Sequence, residues 1–251
     1  MNREATDLAG VRHVNYDTLG STNAEALALA RAGERGPLWI SARTQSAGRG
    51  RRGTRWVSPA GNLHATLLLS EPSPPAQAPQ LSFVAALAAH DAIAACAPQV
   101  GPDLKVKWPN DLLVEKAKVA GILIEGESEP AFAVAIGIGV NCATHPDNTD
   151  YPAADLAGLG ALVVPDALLE ELAGTMQKRL AQWRSGLDFS ATRADWLKRA
   201  AGLGDVLQVR LPERELSGRF QGLDDAGRLL LERAGSVTPV TAGEVFGFGE
   251  R

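Results

Sequence analysis

Between Lys105 and Val140 the chain carries three strand-like stretches with no room for a helix between them. They are Lys105 to Trp108 running on through Leu112 to Val114, then Val119 to Glu125, then Phe132 to Val140. Parallel neighbours need a crossover of about a dozen residues or more. The gaps here hold turn residues such as Glu115-Lys116-Ala117, so antiparallel hairpins follow. That spacing excludes a doubly wound α/β sheet, and the expected class is α+β: a mixed sheet with flanking helices.

The other segments fit around this sheet. A strand near Val11 to Tyr16 leads into a helix announced by Thr22-Asn23-Ala24-Glu25, the spacing of a capping box with Thr22 as N-cap and Glu25 at N3. Alanine and leucine carry it to Arg31, and Gly33 ends it. Leu38 to Ala42 reads as a strand, and Leu63 to Leu69 as a strand of period two. Leu81 to Cys96 is a central helix stopped ahead of Pro98. Two more helices occupy Asp166 to Arg184 and about Ser190 to Ala201, the first with apolar spacing at Leu168, Leu169, Leu172, Met176 and Leu180. From Gly204 the pattern becomes short strands broken by glycine: Val206 to Leu211, Leu216 to Gln221, Leu229 to Leu231 and Ser236 to Thr241. Such spacing suits a small antiparallel barrel. A boundary near Gly202 then divides residues 1–202 from 203–251.

Five arginines lie within the thirteen residues from Arg43 to Arg55, interleaved with Gly48, Gly50 and Gly53 and followed by Trp56. Gly48 to Gly53 fits G-x-G-x-x-G, but the dinucleotide motif needs a helix at its last glycine. Thr54-Arg55-Trp56-Val57-Ser58-Pro59 is a poor helix start, β-branched and aromatic and then broken by proline. An Arg-Gly nucleic-acid segment would be repetitive and set in a basic domain. Here there is one copy in a chain of net charge -4. A merely solvated loop leaves five like charges repelling one another. The favoured reading is a loop that holds a small anion, with guanidinium forks matching its oxygens.

A second cluster is Lys107-Trp108-Pro109-Asn110-Asp111, followed by Lys118-Val119-Ala120-Gly121-Ile122. By itself Asn110-Asp111 reads first as an ordinary turn. Lys118, on a strand otherwise apolar through Ile124, needs an anionic partner if it faces inward. Gly121, and the glycines of Gly137-Ile138-Gly139-Val140-Asn141, let a ligand or backbone approach the strand closely. Lysine on a glycine-thinned sheet, opposite an arginine loop, describes an anion pocket.

The chain has 251 residues, 45% of them hydrophobic, enough for a sizeable core. No N-terminal apolar segment is present, and no uninterrupted apolar run approaches the roughly 20 residues that cross a bilayer. The longest, Leu81 to Cys96, contains Ser82, His90 and Asp91. Cys96 and Cys142 alone supply neither a disulfide framework nor a cysteine zinc site. A cytoplasmic protein without a membrane partner is expected.

In Ser21-Thr22-Asn23, Gln45 to Gly53 with Trp56 to Pro59, Lys107 to Asp111, Lys118 to Leu123 and Gly137 to Asn141, the chain resembles the biotin protein ligases. Gly222-Leu223-Asp224 and Gly227 to Leu231 extend the likeness into that family's C-terminal part. These blocks stand in the family's order along nearly the whole chain. Thr54 departs from the pattern where a basic residue is usual, and Ser46 where an amide or threonine is.

The resemblance implies a class II synthetase-like catalytic domain followed by a small C-terminal SH3-like barrel. It implies that biotin and ATP, with its Mg²⁺, form biotinyl-5'-AMP and pyrophosphate, and that a lysine of a biotin carboxyl carrier protein, as in acetyl-CoA carboxylase, then takes the biotin. A lipoate or octanoyl transferase of the same superfamily is the alternative. By motif, Ser21, Thr22 and Asn23 meet the ureido ring of biotin. Gln45, Gly48, Arg49, Gly50 and Arg51 close over biotin and its adenylate, Gly121 borders biotin, and Lys118 meets the carboxylate and α-phosphate. Trp56 stacks near adenine, Arg52 and Asn141 stand on the nucleotide side, and Asn110 with Asp111 face the nucleotide, its metal or the incoming lysine. Arg49, Arg51, Lys118 and Asp111 form the implied catalytic set, and no protein metal site is implied. About twenty residues precede Ser21, too few for the winged helix-turn-helix of the repressor members, so a monofunctional enzyme without DNA binding is expected. A homodimer is compatible with this reading.

Overall fold

The computed structural model describes residues 3–147, 149 and 151–248. Its larger sheet contains β1 (Arg3–Leu8), β2 (Val11–Leu19), β3 (Leu38–Gln45), β4 (Leu63–Ser70), β5 (Leu104–Lys107), β6 (Asp111–Val114), β7 (Ala117–Glu127) and β8 (Ala133–Val140). The spatial order is β1-β2-β3-β4-β8-β7-β6-β5. Among the described residues only β2 and β3 pair in parallel, because helix α1 (Thr22–Arg31) supplies the crossover between them. Every other neighbouring pair is antiparallel, and the short gaps account for β1-β2, β5-β6, β6-β7 and β7-β8.

Two sequence expectations change, and one strand, β1, is additional to them. Lys105 to Val114 does not run on as one strand. The chain turns at Trp108-Pro109-Asn110, and β5 and β6 form a hairpin that sets Lys107 opposite Asp111. Proline has no N–H for a ladder, so the break falls there. The N-cap of α1 is Ser21, not Thr22: the Ser21 hydroxyl accepts from the Ala24 amide at 3.4 Å. Glu25 therefore lies one place beyond N3, and its carboxylate accepts from the Tyr16 hydroxyl at 2.8 Å. Finally, β1 has no apolar run to reveal it. The turn at Ala9 and Gly10, both with positive φ, folds it onto β2.

On β4 the period of two sorts two buried faces. Leu63, Ala65 and Leu67 join the main core, and Leu68 joins a smaller core beneath α1. Helices α2 (Leu81–Cys96), α3 (Pro165–Trp183) and α4 (Phe189–Lys198) pack together, with α2 against β5, β7 and β8. With the preceding turn, α2 makes a 22-residue helical segment that is long and apolar enough to cross a membrane by composition. Its most apolar window is 67% buried inside the fold, which makes it a core helix.

The chain leaves this sheet at Ala201, whose amide donates to the Val106 carbonyl. It then passes Gly202 and Gly204, at φ 74° and 85°. Strands β9 (Val206–Arg210), β10 (Glu215–Leu223), β11 (Leu229–Arg233), β12 (Ser236–Val240) and β13 (Glu244–Phe248) form an SH3-like antiparallel sheet in the order β12-β11-β10-β9-β13. The fifth strand, β13, is additional to the four expected. Buried Trp108 joins the two parts by donating from Nε1 to the Gly227 carbonyl at 3.1 Å. At Gly227, which has positive φ, a Cβ would stand 2.7 Å from the Phe83 ring, so only glycine lets the junction close.

Candidate active site

The start of α1 and the middle of β4 build one wall. The Gln45 carboxamide oxygen accepts from the Thr22 amide at 2.8 Å and lies 3.1 Å from the Thr22 hydroxyl; its nitrogen donates to Ser58 at 2.8 Å. The Thr66 hydroxyl is 2.8 Å from that of Thr22 and 2.7 Å from Asn23 Oδ1. Asn23 Nδ2 donates to the Leu123 carbonyl and to Glu125. All these side chains are committed before any ligand arrives, so the wall has fixed polarity.

The arginine loop is a tight hairpin. Gly50 and Trp56 donate backbone bonds to Thr54 and Gly48, and Arg51–Gly53 forms one short turn with Arg52 and Gly53 at positive φ. No helix opens there, which removes the dinucleotide reading. Arg49 pairs with Glu125 at 3.1 Å. Arg51 donates to the Gly243 carbonyl at 3.2 Å, so the C-terminal sheet meets the loop directly. Burial and then Arg52 lower the Arg51 pKa from its ordinary value, against the pull of Asp111 and Glu244. Guanidinium nevertheless stays charged in proteins.

Opposite the loop, Asp111 lies between two ammonium groups, Lys118 Nζ at 2.6 Å and Lys107 Nζ at 3.1 Å. Burial disfavours its charge, but Lys118 and then Lys107 outweigh burial and hold the carboxyl below the usual range. Lys107 also donates to the Val245 carbonyl at 3.1 Å. Lys118 Nζ lies 5.3 Å from the Trp56 ring centroid and 5.1 Å from that of Tyr151, within cation–π range.

The strand glycines receive side chains. A Cβ on Gly137 would come 2.4 Å from Asn23 Oδ1, one on Gly139 2.6 Å from the Trp56 indole, and one on Gly121 3.2 Å from both Lys118 and Trp56. They let these side chains approach the sheet closely, where a ligand or backbone was the expected neighbour.

One cavity of about 300 Å³ is lined by Ser21, Thr22, Asn23, Gln45, Arg49, Gly50, Arg51, Arg52, Trp56, Asn110, Asp111, Lys118 and Gly121. Six cationic side chains face it against two carboxylates, Asp111 and Glu244, so it attracts anions. Two expected residues are not in its lining. A Cβ on Gly48 would stand 2.5 Å from the Trp56 carbonyl oxygen, so that glycine serves the hairpin. The Asn141 amide donates to the Ala154 carbonyl at 3.0 Å and lies buried, tying the following segment to β7. Arg43, the first of the five arginines, also lies outside this cavity.

Sequence reasoning missed Ser58, Thr66, Glu125, Tyr151 and residues 243–245. Thr66 had a signal, a polar side chain in an otherwise leucine-rich strand. Tyr151 and residues 243–245 had none, because they reach the cavity only through tertiary folding.

Residues 21–141 match the sequence model of the Biotin/lipoate A/B protein ligase family, and residues 207–246 that of the Biotin protein ligase C terminal domain. The biotin–[acetyl-CoA-carboxylase] ligase of Paracoccus denitrificans is 44% identical over 238 residues, which cover 90% of this chain and 96% of that protein. The corresponding ligase of Mycobacterium tuberculosis is 34% identical over 235 residues, 90% and 85% of the two chains. The biotin protein ligase from Aquifex aeolicus in complex with biotin and ATP aligns with a TM-score of 0.81, covering 93% of this chain and 97% of that one. Its 22% identity makes this a likeness of fold. On the family match and the two full-length kinships, the chain belongs to the biotin/lipoate A/B protein ligase family.

Proposed function

We propose that the protein is an ATP-dependent biotin protein ligase that forms biotinyl-5'-AMP with release of pyrophosphate and then biotinylates a lysine of a biotin carboxyl carrier protein. The carrying observation is that the Ser21–Asn23 helix start, the arginine hairpin and the Lys107–Asp111–Lys118 triad converge on a single cation-rich cavity. Names of the full-length relatives favour biotin over the lipoate alternative, as does the match to the biotin ligase C-terminal domain.

Joining a carboxylate to a triphosphate brings two anions together. In this reading Lys118 and Arg51 offset that charge at the α-phosphate while a biotin carboxylate oxygen attacks phosphorus and the bond to pyrophosphate breaks. Asp111 holds both lysines in place. Ser21, Thr22, Asn23 and Gln45 orient the ureido ring, and Arg52, Trp56 and Asn110 border the nucleotide. In the second step the carrier amine attacks the acyl carbon and AMP leaves with the oxygen. We assign residues 1–202 to the catalytic domain and 203–251 to the SH3-like domain.

The test combines protein, biotin, MgATP and a biotinyl carrier domain, and follows pyrophosphate and the mass of the carrier, with lipoate in a parallel arm. Biotin-dependent pyrophosphate and one biotinylated lysine are expected. No pyrophosphate with biotin, or equal use of lipoate, overturns the reading.

A further inference from the structure

Glu125 touches two parts of the site that lie far apart in sequence. On β7 it follows Gly121 and Leu123 on one face of the strand, by the period of two. Its Oε2 accepts from Asn23 Nδ2 at 2.9 Å and from Arg49 Nη2 at 3.2 Å, and Oε1 lies 3.1 Å from the same guanidinium.

The first contact settles which way the Asn23 amide faces. Two acceptors, the Leu123 carbonyl at 3.3 Å and the Glu125 carboxylate, meet one end of it, and that end must be the NH₂. Oδ1 is thereby left beside Thr66, above Gly137, as an acceptor at the cavity wall. Without the carboxylate the NH₂ end would keep only the longer Leu123 bond, leaving that and the Thr66 hydroxyl at Oδ1 to oppose a flip. The second contact fixes the arginine hairpin to the sheet, since Arg49 also bridges to Arg55 across that hairpin. The charge of Arg49 is compensated by a direct ion pair with Glu125, whereas Arg51 donates to the Gly243 carbonyl and feels Asp111 and Glu244 at longer range. Arg49 thus serves to hold the loop.

We infer that Glu125 is a positioning residue that couples the orientation of Asn23 to closure of the arginine hairpin, so that one carboxylate both presents the biotin acceptor and latches the loop that retains the adenylate. This rests on the biotin ligase reading.

The test measures steady-state KM for biotin and the rate at which adenylate leaves the enzyme once formed from biotin and MgATP. Glu125→Gln keeps an acceptor for Asn23 but loses the charge facing Arg49. Its biotin KM is expected within about twofold of the parent while adenylate escapes about three to ten times faster. Arg49→Gln, which also removes a charge from the cavity, should show escape at least as fast, and the double variant no more than Arg49→Gln, because the Glu125 change acts through Arg49. Glu125→Ala should raise the biotin KM as well. Retention of adenylate by Glu125→Gln as in the parent, or multiplied effects in the double variant, overturns the latch while leaving the ligase reading intact. Failure of the parent to form adenylate overturns that reading itself. Should Glu125→Gln not fold, Arg49→Gln alone decides: unaltered escape refutes the latch.

Discussion

Lys118 Nζ stands 2.6 Å from Asp111 Oδ1, while Lys107 Nζ approaches the other oxygen of the same carboxylate at 3.1 Å. One buried acid therefore organises two cations contributed by different strands. Their positions are set before an anionic substrate enters, and such groups need little reorganisation during reaction.

Asp111→Asn removes the carboxylate between these lysines and leaves two ammonium groups facing each other in a poorly solvated place. Breaking a buried pair in this way costs about 3 kcal/mol, and urea unfolding at neutral pH should show a loss of that order. The folded pKa of Asp111 is depressed, so its contribution is complete above the ordinary carboxylate value of about 3.9 and disappears as pH falls through the lower folded value. The difference between parent and variant should shrink on acidification through that window. A constant difference would refute the assigned charge state.

Lys118→Ala should lower the adenylation rate about a hundredfold or more, because it removes charge stabilisation at the reacting phosphorus. Pyrophosphate release under saturating biotin and ATP measures this. A rate equal to the parent's would exclude Lys118 from the reacting centre.

Gly137→Ala should impair biotin binding without unfolding the protein. The backbone there is ordinary strand, but the new methyl would meet Asn23 Oδ1 at 2.4 Å. Asn23 must move, and the biotin Kd should rise about tenfold or more, the scale of one displaced polar contact. Calorimetric titration with biotin reads the effect, and unchanged affinity would contradict the role of Asn23.

Arg51→Gly removes both a charge at the cavity and the link from the loop to the Gly243 carbonyl. Free adenylate in the medium should increase about tenfold or more, read by chromatography of the filtrate. If the variant holds adenylate as the parent does, the loop does not retain it through this residue.

His64 supplies a pH-dependent term in stability. Its Nε2 faces the Pro59 carbonyl and carries the proton in the neutral ring, while Nδ1 is buried with no hydrogen-bond partner among the described residues. Burial lowers its pKa, against the pull of Pro59. The unfolded chain takes up a proton near pH ~6.5 where the folded chain resists it, so stability decreases as pH falls below that value. Burial lowers the pKa of His13 in the same direction. In denaturant titrations between about pH 7.5 and about pH 5.5, His64→Phe should flatten the slope. An unaltered slope would show that His64 does not contribute.

Local chemistry made much of this protein legible from its residues. Helix α2 has the bounds its apolar run implied, and the hairpins after Lys105 follow from gaps too short for crossovers. Arginine–glycine density and the sheet-borne lysine pointed to an anion cavity because charge on thin backbone demands a counter-charge. The sequence could not say what lies against Gly121, Gly137 and Gly139. A missing Cβ reports only that some group comes close, and Asn23, Trp56 and Lys118 do so here. The wrong N-cap of α1 has a similar cause: two adjacent hydroxyls fit the pattern equally, and Gln45, 23 residues from Thr22, engages one of them. Glu125 meets Arg49 across 76 residues and Gly243 meets Arg51 across 192. No local periodicity encodes such pairs, because sheet pairing and the docking of β13 bring them together only when the whole chain has folded.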